Sequence, residues 1–321
     1  VYFIYKRKEL KPVFFKTLLI SLGICVVAYF LTVLVWPYAL EAPFKNVYDA
    51  FMNMNKFEIS IRQNFEGIAT WSDHLPWYYS CKYMLITIPI VVLLGFILSL
   101  VFLYKNRKDW FLYSVLLFAT IFPLVWITIN NSNVYGGWRH LIFIYLPLVA
   151  LSALGISTLI DLLKNKYVKI IVILCFVTLS LHPIIHSIKN NPYQYVYFNQ
   201  LCGSTKGAYG QYELDYYYHS LREASEWIIE NTKQDSTTKD KIIVACWHKP
   251  IIDYYFRNDT TKFKTEFVRW NEKGEFDWDY AIFCNTGIYP THLLRGGFPP
   301  KNTIHRIEVD GLPICIILKR D

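Results

Sequence analysis

The sequence predicts a multi-span α-helical membrane domain of five transmembrane helices, followed by a small mixed α/β domain outside the cytoplasm. Five apolar stretches of 18 to 21 residues fill the first 185 positions. The segments between them alternate between basic and charge-balanced, and from Ser187 onward the composition becomes that of an ordinary water-soluble domain. The expected division is a transmembrane domain over residues 1–186 and an extracytoplasmic α/β domain over residues 187–321.

The stretches are Thr17 to Trp36, Met84 to Tyr104, Trp110 to Ile129, Leu141 to Ile160 and Val168 to Ile185. A helix rises about 1.5 Å per residue and the hydrocarbon core is about 30 Å thick, so each stretch is long enough to span. Orientation follows from Lys and Arg, which stay in the cytoplasm near span ends. Three flanks are basic: Lys6, Arg7, Lys8, Lys11 and Lys16 against Glu9; Lys105, Arg107 and Lys108 against Asp109; Lys164, Lys166 and Lys169 against Asp161. They hold 11 basic and 3 acidic residues of the chain's 33 and 25, which leaves 22 of each elsewhere. The net charge of +8 therefore reports topology, and nucleic acid is not an expected partner. The residues placed outside the cytoplasm are 37–83, 130–140 and everything after 185.

Val1 to Tyr5 are apolar and aromatic ahead of a basic cluster. They read as the cytoplasmic end of an earlier span, so the chain is expected to be the C-terminal part of a longer protein. The external loop 37–83 opens with Phe44 to Phe57, where Phe44, Val47, Tyr48, Phe51 and Met54 recur at helical spacing, the pattern of a helix lying in the membrane surface. Its second half, Gly67 to Tyr79, reads as irregular and aromatic. In the tail, Asp215 to Asn231 reads as an amphipathic helix with Asp215 as cap and Tyr217, Leu221, Ala224 and Ile228 on one face. Lys241 to Cys246 and Tyr280 to Phe283 read as buried strands and Pro250 to Phe256 as a short helix. Thr303 to Val309 and Ile314 to Leu318, about Asp310-Gly311, read as a hairpin.

Seven cysteines show no metal or disulfide spacing and read as buried free thiols. His182 and His186 are four apart with Pro183 between them, a poor ligand pair. No cofactor is evident; a metal held by this chain alone is not expected, and a divalent ion would need ligands from elsewhere.

Four segments, in order, carry a resemblance. They are Trp36-Pro37-Tyr38; Leu75-Pro76-Trp77-Tyr78-Tyr79; Tyr135-Gly136-Gly137-Trp138-Arg139-His140; and Asn191-Pro192-Tyr193-Gln194-Tyr195-Val196-Tyr197-Phe198-Asn199 with Gly207, Glu213, Asp215 and Tyr216. Together they resemble the C-type-fold membrane glycosyltransferases, specifically the bacterial relatives of protein O-mannosyltransferases and aminoarabinose transferases (glycosyltransferase family 39). The resemblance implies transfer of a sugar from a polyprenyl-phosphate carrier to an acceptor protein, lipid or glycan at the outer face of a bacterial inner (plasma) membrane. It also implies a catalytic carboxylate in a first external loop, upstream of Val1, so no residue here is assigned as the base.

Arg139 is the lone cation of its external loop, at a boundary that the charge rule disfavours, and a guanidinium there suits a lipid phosphate. Its bland reading is a snorkelling anchor. His140 adds a further donor. Trp77 and Tyr78, with Trp71 and Tyr79, could stack on sugars or simply form an interfacial belt. Asp73 and His74 are candidate hydrogen-bonding groups, or a structural pair. Glu213 is a candidate contact to the acceptor or to the external loops of the membrane domain. The rival reading is a non-enzymatic polytopic protein, a sensor or transport subunit with an external binding domain. Against a transporter, no stretch carries a charge near its middle.

Overall fold

The structure is a computed structural model that describes residues 11–55, 59–105, 109–232 and 241–320. Of the residues named above, Val1 to Tyr5, Lys6, Arg7, Lys8, Glu9, Phe57, Arg107 and Lys108 lie outside the described residues. The chain divides into two compact units, Val1–Ile59 and Ser60–Asp321.

In the first unit, helix α1 (Lys11–Val35) is apolar on every side, and Phe15, Leu19, Val27 and Leu31 are all more than half exposed. A helix that is hydrophobic all round and unpacked matches lipid as its solvent. Pro37 ends it by holding Trp36 extended, then starts the short helix α2 (Pro37–Glu41) from its first position. Helix α3 (Lys45–Asn55) falls within the stretch expected to be amphipathic. The Tyr29 hydroxyl donates to the Pro43 carbonyl at 2.6 Å and fixes the turn between them.

The second unit opens with a hairpin where irregular chain was expected. Strands β1 (Arg62–Phe65) and β2 (Ile68–Trp71) pair antiparallel about Glu66-Gly67, both in left-handed conformation (φ 53° and 74°). A two-residue turn of that hand matches strand twist. After it come helices α4 (Tyr79–Thr87) and α5 (Ile90–Val101), bent by 113°. The continuous second span expected over Met84 to Tyr104 is thus broken. Pro89 has no N–H to continue the helix and drives Ile88 extended (φ −80°, ψ 136°). Asn199 pairs the freed groups: its side-chain amide donates to the carbonyls of Leu85 and Ile88, each at 2.7 Å, and its backbone N–H to that of Ile86 at 2.8 Å.

Helix α6 (Trp110–Ile129) coincides with the third stretch. A 3-10 turn (Arg139–Ile144) leads into α7 (Tyr145–Leu162), and α8 (Lys166–Lys189) is N-capped by Asn165 and runs through Pro183. Helix α5 lies so close to α7 that a Cβ on Gly155 would strike the backbone of Gly95 and Ser99. Small residues at such crossings let helix backbones meet within a bilayer. Among the described residues four helices are long and apolar enough to cross a membrane, or five if α4 and α5 count as one span.

The tail begins with the short helix α9 (Ser204–Ala208) and helix α10 (Ser220–Asn231), which starts five residues later than expected. Strand β3 (Ile242–Cys246), helix α11 (Lys249–Phe256), strands β4 (Phe263–Phe267) and β5 (Tyr280–Cys284), the short helix α12 (Pro290–Leu294), and strands β6 (Thr303–Val309) and β7 (Leu312–Lys319) follow. The sheet order is β4-β3-β5-β7-β6, with β3 parallel to both neighbours and β5, β7 and β6 antiparallel in turn. Val244, Cys246, Ile282 and Ile317 pack under Leu221, Ala224 and Ile228 of α10 and Ile252 and Phe256 of α11. Ala245, Phe283, Ile316 and Leu318 meet Trp270, Trp278 and Phe298 on the opposite face. Covering both faces accounts for the unbroken apolar runs of β5 and β7. Cys246, Cys284 and Cys315 are buried as free thiols, whereas Cys25, Cys81 and Cys175 are exposed.

Candidate functional site

The segment Tyr135 to Arg139 sits in a left-handed turn, with Gly136 and Gly137 at φ 63° and 68°. Any Cβ on Gly137 would crowd the Tyr83 ring, so both hand and space call for glycine. Two hydrogen bonds hold the turn: Gly136 N–H donates to Gln63 Oε1 at 2.7 Å, and Gly137 N–H to the Tyr79 hydroxyl at 3.0 Å. Trp138 adds a third anchor, its indole N–H donating to Thr87 Oγ1 at 2.8 Å, one residue before the helix break.

Anchored in this way, Arg139 projects over the Tyr135 ring at 4.5 Å and towards Tyr217 at 6.0 Å. It lines a cavity of about 370 Å³. The wall is mostly aromatic and apolar: Trp138 from the glycine turn, Tyr145 from the start of α7, Ile88 and Pro89 from the break, Pro183 from α8, and Tyr195, Phe198, Tyr216 and Tyr217 from the tail. Arg139 has neither an ion-pair nor a hydrogen-bond partner among the described residues. A cation held by aromatic faces alone keeps its five N–H donors for an anion.

Glu213 and Asp215 lie behind this wall, both buried. Burial pushes the Glu213 carboxyl up to about 8, against the opposing pull of the Asn64 backbone N–H and of Arg139 and Arg62. It is thus a largely protonated acid at neutral pH. Burial also raises Asp215, opposed by its hydrogen bonds. The Asp215 carboxylate accepts from the backbone N–H groups of His219 (3.1 Å) and Ser220 (3.3 Å) and from the hydroxyls of Ser220 and Tyr195. It therefore caps the approach to α10 and positions Tyr195 on the cavity wall at once. Tyr217, expected on the buried face of α10, lies outside that helix and lines the cavity instead.

The remaining sequence-derived candidates sit elsewhere. Asp73 and Trp77 line a separate pocket of about 110 Å³ against residues 127–134. Asp73 accepts from Ser60 Oγ at 2.6 Å and contacts His74 Nδ1 at 2.9 Å, and these two contacts hold its carboxyl below the usual range. Both are exposed, so they form a surface pair. Tyr78 donates to Glu66 at 3.0 Å. His140 is exposed and edges onto the Tyr135 ring at 4.8 Å. The structure gathers Arg139 and the tyrosines of the tail around one cavity, with Glu213 behind it; Asp73, His74, Trp77 and Tyr78 stand apart.

His182 and His186 diverge to different partners: His182 contacts the Tyr197 hydroxyl at 3.1 Å and Ser204 at 3.3 Å, and His186 contacts Asp310 at 3.2 Å. Sequence reasoning missed Gln63, which holds the Gly136 turn, and Trp247-His248, which follow the parallel strand β3. The carboxyl end of a parallel strand is itself a signal for a ligand crevice. Comparison with family models, with curated proteins and with solved structures finds no match to this chain.

Proposed function

We propose that this chain belongs to an integral membrane glycosyltransferase that moves a sugar, with inversion, from a polyprenyl-phosphate carrier to an acceptor at the outer face of a bacterial plasma membrane. The supporting observation is the unpaired Arg139 in an aromatic and apolar cavity between the fourth and fifth apolar helices, the helix break and the tail. A prenyl chain suits the apolar wall of Ile88, Pro89, Ile142 and Pro183, and a sugar suits the tyrosines. In the reaction an acceptor hydroxyl attacks the anomeric carbon, the bond from that carbon to the phosphate oxygen breaks, and the acceptor's proton passes to a base. The departing phosphate gains negative charge, which a prepositioned guanidinium stabilises. No residue of this sequence is assigned as the base.

Four ordered motifs resembling one enzyme family, two of them lining the cavity, favour this reading over a sensor or transport subunit. The test is Arg139→Ala in the protein reconstituted in lipid with a polyprenyl-phosphate sugar. Loss of one transition-state donor typically lowers turnover about 10²- to 10³-fold. Arg139→Lys recovers part of the rate through charge without the bidentate fork. Undiminished transfer by Arg139→Ala removes the residue from the site, and absence of transfer by the parent protein overturns the function.

A further inference from the structure

A second cavity, of about 510 Å³, lies on the other side of β1. Its floor is the carboxyl ends of the parallel strands β3 and β5. From β3 the chain leaves towards β4 on one side; from β5 it leaves towards β6 at the opposite edge. In open α/β sheets, such a point of divergence is where ligands bind. Trp247 and His248 follow β3, Arg269 and Trp270 follow β4, and Tyr289 lies beyond β5. Arg62 and Trp71 enter from the hairpin.

The wall combines flat rings with positive charge. Arg62 lies over the Tyr289 ring at 4.3 Å and the Trp247 ring at 5.4 Å, with one Nη donating to the Gly287 carbonyl at 2.7 Å. Arg269 contributes a second guanidinium, partly engaged by Glu272 at 3.3 Å. Among the described residues no Asp or Glu lines the cavity, although Ser60 at its rim donates to Asp73. His248 Nε2 is buried without a hydrogen-bond partner, beside an inner recess of about 10 Å³ lined by Tyr218, Trp247, His248 and Trp270, which also line the second cavity. Aromatic planes accept the C–H faces of sugar rings, and guanidinium groups select anions. A nucleotide fits less well, because the turn after β3 is Trp247-His248-Lys249-Pro250, with no glycine to let backbone approach a pyrophosphate.

The two cavities are back to back. Gln63 of β1 holds the Arg139 turn, while its neighbour Arg62 lines the second cavity. Tyr216 and Tyr217 face the first cavity and Tyr218 the second, with Tyr218 in the left-handed region at φ 56°. A bulky residue there is strained, and such strain gathers at functional positions.

We infer that this second cavity binds an anionic saccharide, and, resting on the transferase reading, that it is the acceptor's site. The probes are a galacturonic acid tetrasaccharide, its carboxyl-reduced neutral counterpart, and UDP, titrated into the detergent-solubilised protein with tryptophan fluorescence as readout. The acidic tetrasaccharide is expected to bind saturably and at least tenfold more tightly than the neutral one. Trp71→Ala and Arg269→Gln, both at exposed side chains, each weaken it at least tenfold. Absence of saturable binding overturns the proposal, as do equal affinities for the acidic and neutral forms, tighter binding of UDP, or binding that both variants leave intact. Because no lipid-linked donor is present, a failed transferase reading leaves a positive result standing, and a transferase that binds none of these saccharides loses this proposal alone.

Discussion

At the scale of single residues, Glu213 joins chemistry to stability. Its carboxyl, raised by burial to about 8 from an ordinary 4.5, binds a proton in the folded chain over a range in which the unfolded chain has released it. The stabilisation from this group is therefore complete below about pH 4.5 and is lost as pH rises through about 8. Glu213→Gln keeps the shape and neutrality of the protonated acid. The melting temperature of the parent is expected to fall between pH 6 and pH 9, with a clearly smaller fall in the variant; parallel curves would show that Glu213 is not the group responsible. Glu213 could be named from the sequence because it stands among tyrosines two residues from Asp215. Its neutral state could not, because its burial depends on chain folded around it from far away in sequence: its N–H donates to the Tyr83 hydroxyl, 130 positions earlier.

At the scale of elements, apolar length was legible and continuity was not. The third span matches its stretch at both ends, since nothing inside Trp110 to Ile129 competes with the helix except Pro123, which the helix absorbs. The second stretch is one residue longer and has a proline too, yet it breaks, because a partner for its freed carbonyls exists in Asn199. That partner lies more than 100 residues away, in the tail. Likewise β4, FKTEF, is a half-polar edge strand with a weak signal, and Glu66-Gly67 marks a hairpin only once its left-handed turn is seen. Asn199→Ala leaves the Leu85 and Ile88 carbonyls without this donor. A buried polar group left unpaired costs about 1–3 kcal/mol. A lowered melting temperature in detergent is expected, with faster hydrogen exchange over residues 84–90. Unchanged exchange there would mean that Pro89 alone maintains the break.

At the scale of the second unit, the sheet and the membrane-type helices share one core, so the tail is fastened to the helices rather than tethered by a linker. Phe65, Tyr79 and Tyr83 belong to the same cluster as Tyr212, Leu221 and Ile317. The far edge is fastened separately. At the tip of the β6–β7 hairpin, Asp310 accepts from Asn190 (2.9 Å) and Thr205 (2.7 Å) and contacts His186 (3.2 Å), while its N–H donates to Asn190 Oδ1 at 3.1 Å. The Asp310-Gly311 turn was legible as a dipeptide; its role as a latch to the end of α8 was not, because all its partners lie more than 100 positions earlier. Partial burial disfavours the Asp310 charge, but the hydrogen bonds from Asn190 and Thr205 outweigh it and hold the carboxyl below its usual range. A depressed carboxylate stabilises above its unfolded value of about 3.8, and that contribution is lost as pH falls below it. Asp310→Asn separates the charge from the turn, since Asn-Gly suits a turn of this hand as well as Asp-Gly does. At pH 7 the variant is expected to exchange amide hydrogens faster than the parent over residues 303–319, and the parent to approach it at pH 3. If the parent and variant exchange alike at pH 7, the latch holds through its backbone and neutral contacts, and the carboxylate has no part in docking the sheet.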